Sequence, residues 1–368
     1  MRIACNLPTH GVFIGESGNV TPCCGVRYAF GNLKDLSLNQ AFNTKKAKQF
    51  RKNFKRGIYE QDCINCYKSK SEHRIFWGLK KTKIKDSSDQ FIAHAEVTFS
   101  NICNLTCTMC SPRFSHKWAK LLGQEDKIFS LTEEQVVEMA YACKDVSNIQ
   151  FKGGEPFFQP HINLFLSELY KHNPSAKLVI LTNGTIINDS TIEIFSKFKN
   201  TTVAVSAEAS GKLYQYIRGG TYTFEKDVVN NLKKLKQEKG FKRLIVPIAS
   251  CIGLYNFDKW IEHHQNITDC LNDNGMDTII NIQGVSDPVN QSLYLKSKKT
   301  RNEFKNNLYK SKLNFNHAST GFINLDYIEN RTTKDKILNG IEFHNKIKKL
   351  NLFEINPKVL DNIDESVL

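Results

Sequence analysis

Three cysteines with close, uneven spacing are the residues of this 368-residue chain most able to do chemistry. Cys103, Cys107 and Cys110 form a C-x3-C-x2-C array inside EVTFSNICNLTCTMCSPRFSHKW (96–118). Three thiolates in eight residues can wrap one face of a [4Fe–4S] cube and leave the fourth iron open to an outside ligand. A zinc ion would more usually find a fourth protein ligand in a paired C-x2-C layout. Eight cysteines remain: Cys5, Cys23, Cys24, Cys63 and Cys66 early, with Cys143, Cys251 and Cys270 standing alone. The opening MRIACNLPTHGVFIGE lacks a charged-then-apolar leader, so a cytoplasmic chain is expected. There, close-spaced cysteines point to metal or cluster ligation rather than disulfides. Downstream, Gly153-Gly154-Glu155-Pro156 offers glycines that let backbone approach a ligand, and a carboxylate able to accept from an ammonium group.

The elements that must position these residues can be read from periodicity. Strand-like runs stand at 94–99, 148–152, 177–182, 202–206, 243–249 and 277–283. Helical patterns fall between them near 132–143, 160–172, 190–199, 224–239 and 257–273. Such alternation predicts parallel βαβ units in an α/β domain, with six strands, fewer than a closed eight-fold barrel needs. The cysteine array follows the first strand and GGEP the second, the strand ends where α/β domains keep their chemistry. Ahead of them, GVFI (11–14) and NVTP (19–22) read as a hairpin around Glu16-Ser17-Gly18. Ser37 then caps one helix whose apolar positions run from Leu38 to Phe54 and which ends at Gly57.

With C-x3-C-x2-C after a strand and GGEP after the next, the chain resembles the radical S-adenosylmethionine (SAM) superfamily. That resemblance implies a partial (β/α)6 barrel over 92–290, with Cys103, Cys107 and Cys110 ligating a SAM-binding [4Fe–4S] cluster. It implies that Gly153, Gly154, Glu155 and Pro156 bind the amino group of SAM. It further implies that Asn183 of Thr182-Asn183-Gly184, with Ser206 and Glu208 of Ser206-Ala207-Glu208, lines the SAM pocket. Arg218 of YIRGG (216–220) is expected to pair with the SAM carboxylate or a substrate anion, or else to form a surface ion pair. A one-electron reductant such as flavodoxin or ferredoxin is the implied partner. Cys251, just beyond the fifth strand, is a candidate hydrogen-atom donor to a substrate radical; an inert buried thiol is the plainer reading.

Cys5-x12-Gly18-x4-Cys23 followed by Cys63-x2-Cys66 resembles the SPASM auxiliary-cluster module, or its shortened twitch form. Here it precedes the barrel, in residues 1–78, with 79–91 as linker and 291–368 as a helical C-terminal extension. Four cysteines suffice for one auxiliary [4Fe–4S] cluster, and spacing alone leaves a four-cysteine zinc site open. Cys24 is an alternative to Cys23 or simply its neighbour.

Fifty-one Lys+Arg against 37 Asp+Glu leave a formal charge of +14. That admits a polyanionic partner, but the lysines are scattered and suit a solvated face equally well. No run is long and apolar enough to span a membrane. The expected activity is reductive SAM cleavage and hydrogen abstraction from a peptide or small molecule. Modification of a nucleic-acid base is the alternative reaction. A non-catalytic, zinc-stabilised nucleic-acid-binding protein is the alternative of another class.

Overall fold

The computed structural model describes residues 3, 5–68, 91–159, 161–237, 241–248, 257–273, 278–282, 297–313, 334–357 and 359. Cys251, the side chain of Cys270 and all of the expected linker but its last residue lie outside them. The chain divides into two compact units. The first comprises Met1–Asn104, Pro112–Leu181 and Asn188–Thr202; the second comprises Leu105–Ser111, Thr182–Ile187 and Val203–Leu368.

In the first unit, strands β1 (Gly11–Ile14), β2 (Asn19–Thr21), β3 (Gly31–Asn32), β4 (His94–Val97), β5 (Asn148–Phe151) and β6 (Lys177–Thr182, whose last residue falls in the second unit) run in the order β3-β2-β1-β4-β5-β6. The expected hairpin is present: β1 and β2 pair antiparallel. Its other edge pairs parallel with β4, Phe13 opposite Glu96, so the cysteine-bearing segment extends the main sheet. β4, β5 and β6 are parallel, with Glu96 opposite Gln150 and Phe151 opposite Ile180. Alternation along β4 and β5 puts Val97 and Phe151 on one face. Phe151 packs there with Phe99 and with Phe165 of helix α7 (His161–His172). Glu96 and Gln150 occupy the opposite face, which is also buried.

Before β4 come α1 (Leu7–His10), α2 (Leu38–Phe42), α3 (Lys45–Lys55) and α4 (Gln61–Lys68). The single helix expected from Leu38 to Phe54 is two, because Thr44 caps a new start: its hydroxyl accepts from Ala47 N–H at 3.2 Å and donates to Phe30 O at 2.9 Å. Ile3, Val26, Phe30, Ala47, Phe50 and Phe54 form a small apolar core around Cys63. After β4 the first unit adds α5 (His116–Leu121), α6 (Glu133–Ala142), α7 and α8 (Asp189–Ser196).

The second unit takes β7 (Thr201–Val205, whose first two residues fall in the first unit), α9 (Gly211–Arg218), α10 (Val229–Gln237), β8 (Phe241–Ile248), α11 (Phe257–Asp273) and β9 (Thr278–Ile282). Helices α12 (Lys298–Lys310), α13 (Lys334–Lys348) and α14 (Leu352–Ile355) follow. β8 and β9 are parallel, Val246 opposite Ile280. Each of β4 to β9 is thus followed by helix, the alternation of an α/β fold. α9 was not expected from the pattern, since Gly211 opens it and only a short apolar stripe marks it.

Candidate functional site

In the first unit, Gly153 and Gly154 adopt φ of +80° and +55°, conformations that side-chain-bearing residues rarely hold. They bring the next residue beneath the cysteine segment: Glu155 N–H donates to Ile102 O at 2.9 Å, one residue before Cys103. A Cβ on Gly154 would run into that carbonyl, and one on Gly153 into Thr98. Gln159 seals the turn by donating to Gly153 O at 2.7 Å and to Ser100 O at 3.2 Å. The Glu155 carboxylate is buried and accepts from Phe157 N–H at 3.0 Å, capping the turn that Pro156 begins. Cys103 N–H donates to His116 Nδ1 at 3.0 Å, so that nitrogen carries no proton.

A cavity in the same unit is lined by Cys5, Cys23, Cys24, Cys63 and Cys66, with Glu96 at its border. The four residues expected to ligate are therefore brought together, with Cys24 as a fifth. Burial pushes the Cys63 thiol up to about 12, and the neighbouring Cys5 and Cys66 add to it. Cys23 is raised by burial and by Cys24 and Cys5. Buried sulfurs that oppose one another's ionisation become thiolates only against a positive centre, which an iron cluster supplies.

Burial lifts the Cys24 thiol to about 11, with Lys152 working against the rise and Glu96 adding to it. Glu96 forms a partly buried ion pair with Lys152. Burial opposes the Lys152 charge, but Glu96 and then Cys24 outweigh it and hold its pKa above the usual lysine value. Lys152 immediately precedes Gly153, so this pair runs from the cysteine cavity to the GGEP turn. The sequence signal was available: Glu96 sits on the first strand of the α/β domain and Lys152 at the end of the second, both in polar positions.

In the second unit, Cys107 and Cys110 lie beside Arg218 at the end of α9. The guanidinium is buried and forked on Glu208, Nε to Oε2 at 2.7 Å and Nη2 to Oε1. Its remaining nitrogen, Nη1, donates to Cys107 Sγ at 3.6 Å. Burial disfavours the guanidinium charge, yet Glu208 and then Cys107 hold its pKa above the ordinary arginine value. Burial lifts Cys110 to about 12, Cys107 adding to the rise while Arg218 and Lys348 work against it. Two expected SAM contacts are thus partners of each other. Ser206 and Asn183 are also in this unit: Ser206 N–H donates to Thr182 O at 2.9 Å, and Asn183 Oδ1 accepts from Thr185 N–H and Oγ1 at 2.9 and 2.7 Å. Lys348 and Thr106 were missed by the sequence reading. Lys348 donates to the backbone oxygen of Thr106 and, at 3.1 Å, to its hydroxyl, across a separation no spacing rule reaches.

Residues 97–266 match the radical SAM superfamily, and residues 5–67 match the SPASM iron–sulfur cluster-binding domain. Two curated relatives are similar over short stretches. Molybdenum cofactor biosynthesis protein 1 of Dictyostelium discoideum is 27% identical over 30% of this chain and 17% of its own length. A GTP 3',8-cyclase of Nautilia profundicola is 24% identical over 28% of this chain and 31% of its own. Among solved structures, Streptococcus suis SuiB bound to S-adenosylmethionine is similar over 76% of this chain and 62% of that one, at 18% identity and a TM-score of 0.44. Each similarity spans less than two thirds of the relative. Among the described residues no helix is long and apolar enough to cross a membrane.

Proposed function

We propose, from the match of residues 97–266 to the radical SAM superfamily and of residues 5–67 to the SPASM iron–sulfur cluster-binding domain, that the chain oxidises or rearranges a peptide or small molecule by SAM-derived radical chemistry. The observation that carries the reading is that two separate family matches contain two separate cysteine sets, one of which lines a single cavity.

When bound, SAM and its cluster supply one-electron reductive cleavage of the S–C5′ bond, and with it a radical that removes a substrate hydrogen atom. The residues that would hold that cluster are Cys103, Cys107 and Cys110. Gly153 and Gly154 clear the approach that a side chain would block, and Glu155 offers its carboxylate to the SAM ammonium. Asn183 and Ser206 present polar groups at the ends of β6 and β7 to the nucleoside. Glu208 and Arg218 neutralise each other in a buried pair and leave one guanidinium N–H on Cys107. Cys5, Cys23, Cys63 and Cys66 would hold the auxiliary [4Fe–4S] cluster, which would supply an electron acceptor for a substrate radical or a scaffold for substrate. The electron for SAM cleavage comes from a one-electron donor such as flavodoxin or ferredoxin.

The test is anaerobic reconstitution, iron and sulfide counting, and detection of 5′-deoxyadenosine under dithionite. About eight irons per chain are expected, falling to about four when Cys103, Cys107 and Cys110 are all replaced by Ala, with 5′-deoxyadenosine lost. Undiminished SAM cleavage in that variant overturns the cysteine assignment. Four irons with stoichiometric zinc in the unaltered protein makes the N-terminal module structural.

A further inference from the structure

The last residue of the superfamily match is 266, yet a helix well beyond it reaches the cysteine array. Lys348, at the end of α13, grips Thr106 through both its backbone oxygen and its hydroxyl. Thr106 is the residue before Cys107. Gly219 closes the other side at φ +74°, and a Cβ there would meet the Lys348 ammonium and, at 2.5 Å, the Thr106 hydroxyl. The same loop is tied to α9 by Thr108 N–H donating to Ile217 O at 2.7 Å. Lys348 therefore sits in a fitted place against the loop, where burial lowers its pKa to about 8 while Cys107 and Cys110 favour its charged form. Arg218 also lies on Cys107, but its charge is matched by Glu208.

We propose that Lys348 is a positioning and charge-compensating residue for Cys107 and Cys110, and that the C-terminal helix is thereby part of the SAM-cluster site. This rests on the assignment of those cysteines as cluster ligands. A cube held by three thiolates carries net negative charge, and one-electron reduction adds another. A cation held nearby favours the reduced form and raises the reduction potential. The hydrogen bonds to Thr106 hold the loop that carries the thiolates, so position and charge come from one side chain.

The experiment is a redox titration of the anaerobically reconstituted full chain, following the electron paramagnetic resonance signal that changes when SAM is added. Lys348→Gln keeps an amide to donate to Thr106 and removes the charge; Lys348→Arg keeps the charge. Expected is normal iron loading in both, a midpoint potential shifted negative in the Gln variant, and a value near wild type in the Arg variant. A wild-type potential in Lys348→Gln, or equal shifts in both variants, overturns the proposal. Should Lys348→Gln fail to fold, Thr106→Val removes the hydroxyl acceptor from the loop and is expected to give a smaller negative shift; no shift there overturns the proposal as well. Failure of the underlying assignment shows separately, as full iron and an intact SAM-sensitive signal in the protein lacking Cys103, Cys107 and Cys110.

Discussion

Replacing Gly154 by Ala tests whether the GGEP turn and the cysteine segment are one mechanical unit. At φ +55° the added methyl costs about 1–2 kcal/mol in backbone strain alone. It also meets the Ile102 carbonyl, with Gln159 Nε2 at 2.9 Å, and overpacking of this kind costs a further ~1–3 kcal/mol. The expected loss is therefore about 2–5 kcal/mol. Gly123 supplies the control: it has φ +65° and nothing within 4 Å of an added Cβ, in the same unit. Gly123→Ala should lose only the backbone part, about 1–2 kcal/mol. Urea unfolding of the two apo-variants under reducing conditions measures both terms. Because the displaced carbonyl is one residue before Cys103, Gly154→Ala should also lose SAM cleavage after reconstitution, while Gly123→Ala keeps it. Equal stability losses in the two variants, within ~0.5 kcal/mol, would refute the argument that the turn is pressed against the cysteine segment.

Arg218→Met strands the Glu208 carboxylate in a buried site and should cost about 3–5 kcal/mol, much of it recovered when Glu208→Gln is added; strictly additive losses in that double-mutant cycle contradict the pairing. His94 is buried, and desolvation followed by His10 lowers its pKa to about 4, below the unfolded value of 6.5. The unfolded chain thus binds the proton first: the stabilisation is whole above pH 6.5, and about 3 kcal/mol is lost as pH falls toward 4. His94→Gln should flatten that part of the pH–stability curve, and an unchanged slope between pH 6.5 and 4 counts against it. Replacing Cys63 and Cys66 together by Ala should remove about four irons and the turnover of substrate but leave SAM cleavage to the other cluster; SAM cleavage lost in proportion to the iron would disprove independent roles.

Much of this protein was legible as a string because the signals were local. C-x3-C-x2-C and GGEP each follow a strand, and both strand and motif lie within a dozen residues of each other. The helical and strand periods from 94 to 282 record which side of each element must be buried, so the α/β alternation could be read without coordinates. The capped start at Ser37 was equally local, while the break at Thr44 was not foreseen: its hydroxyl satisfies Phe30 O as well as Ala47 N–H, and that outer partner is a tertiary one.

Other features needed the folded chain. The hairpin was visible, but its parallel edge on β4 was not, since pairing between distant strands leaves no spacing to read. Cys24 was ambiguous beside Cys23 because adjacent thiols have the same local pattern, and in the fold both line the same cavity. Glu208 is read from sequence as facing a ligand and Arg218 as facing a ligand or forming a surface ion pair; the fold makes them a buried pair, since a buried charge is most cheaply satisfied by the opposite charge within reach. Lys348 is the extreme case: nothing in IKKL marks one lysine among 51 Lys+Arg, and only packing of α13 against the Thr106 loop desolvates it there. Backbone preference and burial period act over a few residues and are written into the sequence, whereas charge pairing acts across space and exists only once the chain has folded.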